Sequence, residues 1–221
     1  MKIKIAPSIL SADFSDLGSA VKKLEKNGAD LIHCDVMDGS FVAPITFGAQ
    51  AVKNIRPLTS LPLDVHLMIE HPKSQIKFFA EAGADVITVH FEACKKISDS
   101  YLKETLELIK SFGVKCGAVV NPDVDVENIF PVFELCDMVL LMTVFPGYGG
   151  QKYIEEVTPK IAKAREYALK TGRAEMDIEV DGGVTEENCK KIIAAGANVL
   201  VAGSTVFNSK DMTATIKTLR G

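Results

Sequence analysis

The sequence has no excess of basic residues. Its 25 Lys and Arg stand against 29 Asp and Glu, for a formal charge of -4. A nucleic-acid binder needs a basic face to displace counterions, so no nucleic-acid partner is expected. Long apolar runs are missing as well. None reaches the roughly 18 residues of a membrane span. The opening MKIKIAPSIL lacks the apolar stretch and cleavage site of a secretory signal. The cysteines Cys34, Cys94, Cys116, Cys136 and Cys189 are odd in number and form no CxxC pair. That fits reduced thiols better than disulfides. The expectation is a cytoplasmic protein with no membrane partner. Nine prolines and 16 glycines in 221 residues are near average, and 47% of the residues are hydrophobic. Disorder, collagen and low complexity are thereby excluded.

What is present is alternation. Short apolar runs read as strands at Lys2–Ser8, Asp30–Asp35, Leu63–Leu67, Asp85–His90, Val114–Val119, Met138–Met142, Met176–Val180 and Val199–Ala202. Between them, amphipathic stretches read as helices at Asp16–Asn27, Phe47–Ile55, Lys73–Ala82, Ser100–Ser111, Glu155–Lys170 and Thr185–Ala195, with Met212–Leu219 last. Thr185 is the expected cap of its helix. Val124–Glu134 holds a short helix that Pro131 breaks or bends. Gly-Ala-Asp or Gly-Ala-Asn recurs at Gly28, Gly83 and Gly196, each time between a helix end and a strand start. No linker interrupts the pattern, so residues 1–221 are expected to form one catalytic domain. Strict βα order with roughly 27 residues per unit predicts an α/β fold, a single (β/α)8 TIM barrel. An open doubly wound sheet would carry GxGxxG after its first strand, where this chain has Ala6-Pro7-Ser8.

Barrel chemistry sits at the C-terminal ends of the strands. His33 and Asp35 end strand two on the same parity, His66 ends strand three, and Asp181 tips strand seven. Two imidazoles and two carboxylates in one mouth suit one divalent ion, Zn, Mn, Fe or Co. The plainer reading is that His33 and His66 are hydrogen-bonded inner residues. Strands two and seven are three steps apart around an eight-strand ring, so Asp35 and Asp181 face each other. Two acids on opposite sides of a flat intermediate can remove a proton from one face and return one to the other. A carbon beside a carbonyl is the natural target, with a metal stabilising enediolate charge. Alternatively, one Asp is only a ligand.

Phosphate is expected at the loops after strands seven and eight, where Gly182-Gly183 and Gly203-Ser204 offer backbone N–H groups and a hydroxyl. The stretch from Thr143 to Gln151, with Gly147, Gly149 and Gly150, reads as a lid or as a long surface loop. Met37, Met68 and Met142 form an apolar floor for the substrate or fill the core. Ser8 can bond a substrate hydroxyl, and His90 is expected at the pocket rim. No lysine ends a strand, which argues against Schiff-base chemistry.

These pieces together resemble the ribulose-phosphate 3-epimerase family from end to end. They are Ala6-Pro7-Ser8, His33-x-Asp35-x-Met37-Asp38-Gly39-x-Phe41, Asp64-Val65-His66-Leu67-Met68, Pro146 through Gln151, Glu179-Val180-Asp181-Gly182-Gly183 and Gly203-Ser204. The resemblance implies a ribulose-phosphate-binding barrel that epimerises D-ribulose 5-phosphate and D-xylulose 5-phosphate at C3. It implies one metal ion held by His33, Asp35, His66 and Asp181, with Asp35 and Asp181 as acid and base. It implies substrate contacts from Ser8, His66, Met37, Met68, Met142, Gly147, Gly149, Gly150, Gly183, Gly203 and Ser204. A homo-oligomer, dimer or hexamer, is implied too. Ser40, Ala43, Pro44, Thr143, Phe145 and Tyr148 depart from the family's usual residues, and several line the approach to the sugar. The competing readings are a D-allulose 6-phosphate 3-epimerase and a non-catalytic phosphate-binding barrel. Tryptophan- or thiamine-pathway barrels would not need the His33, Asp35, His66 and Asp181 set.

Overall fold

A computed structural model describes residues 2–221. In chain order the elements are β1 (Lys4–Ala6), α1 (Leu17–Lys26), β2 (Ile32–Met37), α2 (Ala49–Ile55), β3 (Leu63–Met68), α3 (Ile76–Glu81) and β4 (Val86–His90). They continue with α4 (Phe91–Lys95), α5 (Tyr101–Ser111), β5 (Lys115–Val120), β6 (Met138–Met142), α6 (Thr158–Lys170), β7 (Asp177–Asp181), α7 (Cys189–Ala194), β8 (Val199–Val201), α8 (Gly203–Phe207) and α9 (Met212–Arg220). The strands are parallel and follow the order β1-β8-β7-β6-β5-β4-β3-β2. A parallel bridge from Ser8 to His33 joins the two ends, and the His33 N–H donates to Pro7 C=O. The sheet is thereby a nearly closed barrel, as the βα alternation predicts.

The strands are covered on both faces, which is why they read as near-continuous apolar runs. Every residue of β2 and of β3 is buried. On β2, Cys34 and Val36 pack outward into the main core. His33 and Asp35 alternate with them and face inward. The β2–β3 register pairs His33 with Asp64 and Asp35 with His66. That pairing sets two inward polar layers side by side. The interior is narrow: a Cβ at Gly117 would lie 2.7 Å from Met138 C=O and 2.9 Å from Thr88 Cγ2. At the opposite end of the barrel, Leu31, Val86 and Met138 are buried together. Lys4 pairs with Asp177 at 2.6 Å there, far from the mouth.

Several boundaries differ from the sequence expectation. The helix after β7 starts at Cys189, not near Thr185. Asn188 explains the delay, because its side chain accepts the Thr185 N–H and donates to Gly183 C=O. Thr185 is therefore braced rather than a cap. The helix expected over Lys73–Ala82 divides into a tight turn at Pro72–Ser74 and α3. Val126–Leu135 is a 3-10 helix that accommodates Pro131. The short α4 and α8 were not expected, since five residues carry too little periodicity to read. Among the described residues, no helix is long and apolar enough to cross a membrane.

Candidate active site

The C-terminal ends of β2, β3 and β7 bring four side chains together. One ligand atom each from His33, Asp35, His66 and Asp181 lies within 4.8 Å of the others. His33 Nε2 is 3.3 Å and His66 Nδ1 is 3.2 Å from Asp35 Oδ1. Both nitrogens are 3.8 Å from Asp181 Oδ2. Residues more than a hundred positions apart thus meet as strand parity predicts.

A cation fits this cluster. His33 Nδ1 lies 2.6 Å from Asp64 Oδ2, which holds a proton on that nitrogen. His33 Nε2 is then aimed at two carboxylates, buried and without a hydrogen-bond partner. A lone pair so placed calls for a proton or a metal ion. Two nitrogens and two carboxylates suit zinc, manganese, iron or cobalt.

The two acids are not equivalent. Burial alone would raise the Asp35 pKa, but His33 and hydrogen bonds from His33 and His66 hold it well below the usual carboxylate range. Ser8 Oγ also donates to Asp35 Oδ2 at 2.5 Å. Burial and the Asp35 charge instead push Asp181 up to about 7. Burial opposes a proton on His33, yet Asp35 and Asp64 outweigh it and raise its pKa. Burial lowers His66 to about 4.

A second polar layer lies beneath. His33, Asp64 and Glu179 form a buried group of their own. Burial and the Asp64 charge hold Glu179 well above the usual carboxylate range. Sequence reading gave Asp64 and Glu179 no role, although each stands two residues before a named site residue and shares its inward parity. His90 corrects an expectation. It is fully buried rather than at the rim, with its Nε2 2.9 Å from His66 Nε2. The last residue of β4 points inward, and β4 lies directly beside β3.

Above the cluster is a cavity. Ser8, Met37, Met68, Met142, Asp35 and Asp181 line its floor and sides. Gly147, Gly149, Gly150, Gly183, Gly203 and Ser204 line the rest. His33 and His66 lie below the floor and do not line it. Gly183 has φ +64°, and a Cβ there would fall 2.3 Å from the Tyr153 N atom. Only glycine permits this turn. Ser11, which sequence reading missed, sits between two of the loops: its Oγ is 2.6 Å from where a Gly203 Cβ would be. The Ser8-x-x-Ser11 spacing in the turn after β1 was the available signal. The segment from Phe145 to Gln151 is folded on itself, with Gln151 Nε2 donating to the Phe145 and Tyr148 carbonyls.

Metal binding at such a cluster displaces protons. At about pH 6 Asp181 holds its proton and at about pH 8 it does not, given its pKa of about 7. Zinc binding should therefore release about one proton more at the lower pH. Titration calorimetry in buffers of differing ionisation enthalpy reads this directly. Equal release at both values would mean that Asp181 does not titrate in the site.

Comparison with known proteins places the chain. The sequence model of the ribulose-phosphate 3 epimerase family matches residues 4–207. The ribulose-phosphate 3-epimerase of Bacillus subtilis (strain 168) is 53% identical over 219 residues, covering 99% of each chain. The chloroplastic ribulose-5-phosphate-3-epimerase of Arabidopsis thaliana is 48% identical, over 99% of this chain and 76% of its own. Among solved structures, a 3-hexulose-6-phosphate synthase superposes with TM-score 0.67 at 17% identity, covering 100% of this chain and 98% of its own. A thiamine phosphate pyrophosphorylase from Pyrococcus furiosus does so with TM-score 0.66 at 15% identity, covering 99% and 94%. Those two likenesses speak for the barrel fold alone. Matched by the family model over nearly its whole length and by full-length relatives at about half identity, the chain belongs to the ribulose-phosphate 3 epimerase family.

Proposed function

We propose that the protein is a ribulose-phosphate 3-epimerase, interconverting D-ribulose 5-phosphate and D-xylulose 5-phosphate by proton transfer at C3. The observation that carries this reading is the acid pair itself: Asp35 and Asp181, brought together from β2 and β7, share one four-residue cluster and both line the cavity above it. Inversion at a carbon needs one group ready to accept a proton and another ready to give one. Asp35 takes the C3 proton from the face it meets, and Asp181 returns one to the other face. In the reverse reaction the roles exchange.

His33, Asp35, His66 and Asp181 would hold the divalent metal, which when bound stabilises negative charge developing on the substrate oxygens. Zinc, manganese, iron and cobalt all suit the donors. Asp64 orients His33 through Nδ1. Ser8 steadies Asp35 and presents its hydroxyl to the cavity. Met37, Met68 and Met142 give the planar sugar an apolar seat and keep water from the carbanion. Backbone N–H groups at Gly150, Gly183 and Gly203, with Ser204, bind the phosphate, while Gly147 and Gly149 let the loop close over it. One catalytic domain over residues 1–221, a cytoplasmic location and a homo-oligomeric state complete the reading. Ile45 beside the site is 78% exposed, and a dimer or hexamer would cover it.

The test is a side-by-side assay of D-ribulose 5-phosphate and D-allulose 6-phosphate, with and without a chelator. The pentulose phosphate should turn over faster. Chelation should remove at least about 100-fold of the rate, restored by added metal. Equal or faster turnover of the hexulose phosphate would replace this substrate with the longer one.

A further inference from the structure

Behind His66, on the side away from the cavity, runs a line of three side chains. His66 Nε2 lies 2.9 Å from His90 Nε2, and His90 Nδ1 lies 3.1 Å from Glu92 Oε2. The other oxygen of Glu92, Oε1, accepts the Asn121 backbone N–H at 2.7 Å. Both imidazoles are fully buried, so each ring nitrogen depends on the partner the chain supplies. Phe41 packs on the His90 ring at 4.6 Å between centroids and holds it in place.

The direction of this chain of hydrogen bonds is decided at the Glu92 end. A carboxylate only accepts, so His90 donates from Nδ1. Neutral His90 then has its lone pair on Nε2, and His66 must donate from its own Nε2. The lone pair of His66 is left on Nδ1 when a cation stands between it and Asp35; with no cation there, the Asp35 carboxylate at 3.2 Å accepts from a proton on that nitrogen instead. That is the nitrogen 3.2 Å from Asp35 and 3.8 Å from Asp181. With the direction reversed, His66 would carry its proton on Nδ1 and could not act as a ligand there.

We propose that Glu92 and His90 are positioning residues that make His66 Nδ1 a metal ligand, by dictating from outside the cluster which His66 nitrogen carries the proton. The inference rests on the metal-site reading above. Neither residue lines the cavity.

Zinc titration of wild type, Glu92→Gln and Glu92→Ala tests it. In the Gln variant, the Asn121 N–H can be met only by the amide oxygen. The amide NH2 is thereby turned to His90 Nδ1. His90 must then accept on Nδ1 and donate from Nε2, and the His66 proton moves to Nδ1. The Ala variant removes the instruction without reversing it, and the Glu92 side chain is 17% exposed, so the gap opens toward solvent. Wild type should bind zinc most tightly, Ala next and Gln weakest, with Gln about 10- to 100-fold below wild type. A side chain that merely filled space would give the opposite order, because Gln is the isosteric replacement. Zinc bound by the Gln variant as tightly as, or more tightly than, by the Ala variant overturns the proposal. Should wild type itself take no zinc, the metal-site reading fails instead. If either variant does not fold, nitrogen-15 NMR of the zinc-loaded wild type decides. His66 protonated on Nε2 and His90 on Nδ1 is the expected result; His90 protonated on Nε2 overturns it.

Discussion

Asp181→Asn should lower turnover by about 10³-fold or more while leaving the metal-free fold more stable. The loss follows from the role: a positioned acid or base contributes about 10²- to 10⁴-fold, and Asn can neither take nor give the proton. Loss of one metal donor adds to it. The gain in stability follows from the pKa. The Asp181 value rises from 3.8 to about 7 on folding, because burial and the Asp35 charge oppose ionisation. Between those values the unfolded chain has released the proton and the folded chain still holds it. Metal-free stability from this group is thus present at low pH, falls as pH rises toward about 7, and stays reduced above. Asn carries no charge at any pH and escapes that penalty. Its metal-free Tm should exceed that of wild type by several degrees at about pH 8 and match it at about pH 4. Thermal melts across pH with parallel kinetics check both halves. An inactive variant with a lowered Tm would indicate damage to the fold, not removal of an acid. Asp35→Asn should also be inactive, but without the stability gain, since folding favours the Asp35 carboxylate.

Gly183→Ala should reduce kcat/KM by about 10²- to 10⁴-fold, mostly through KM. Gly183 is in the left-handed region at φ +64°, and an added Cβ would sit 2.3 Å from the Tyr153 backbone nitrogen. The three atoms nearest that Cβ, Tyr153 N and Cα and Gln151 O, are all main chain, so the loop itself must move. Each backbone hydrogen bond to a charged oxygen contributes about 1.5–3 kcal/mol, and losing two gives the stated range. These contacts hold the phosphate in ground and transition states alike, so kcat is largely spared. Gly203→Ala is the comparison. There the Cβ would meet Ser11 Oγ at 2.6 Å, a hydroxyl that can rotate away. Its KM should rise far less. Comparable effects at the two positions would remove the phosphate assignment from Gly183.

The legible part of this protein was what depends on neighbours in the chain. Alternation of apolar and amphipathic stretches announced eight βα units. Parity within a strand put His33 with Asp35, and the spacing of Asp64 from His66 and of Glu179 from Asp181 carried the same message for the layer beneath. What parity cannot supply is depth and lateral register. His90 obeys the inward rule, yet its burial behind His66 depends on β4 standing beside β3. Asn188 reads as a first-turn residue of a helix capped by Thr185, because its bond to Gly183 lies in a turn, where no periodicity signals it. The self-fastening of the Phe145–Gln151 loop was equally invisible, since any amide can reach a carbonyl and only the folded loop selects which.

The order of residues alone determined the barrel, the face each side chain takes and the chemical types that gather at its mouth, because strand geometry repeats every two residues wherever the strand lies. Only the tertiary structure decided which acid is easy to ionise, which imidazole nitrogen is free and which glycine is crowded. Those properties arise from contacts of about 3 Å between groups distant in the chain, such as His33 with Asp64 and His66 with His90. Charge interactions in a buried site change steeply over such distances, and no local pattern encodes them.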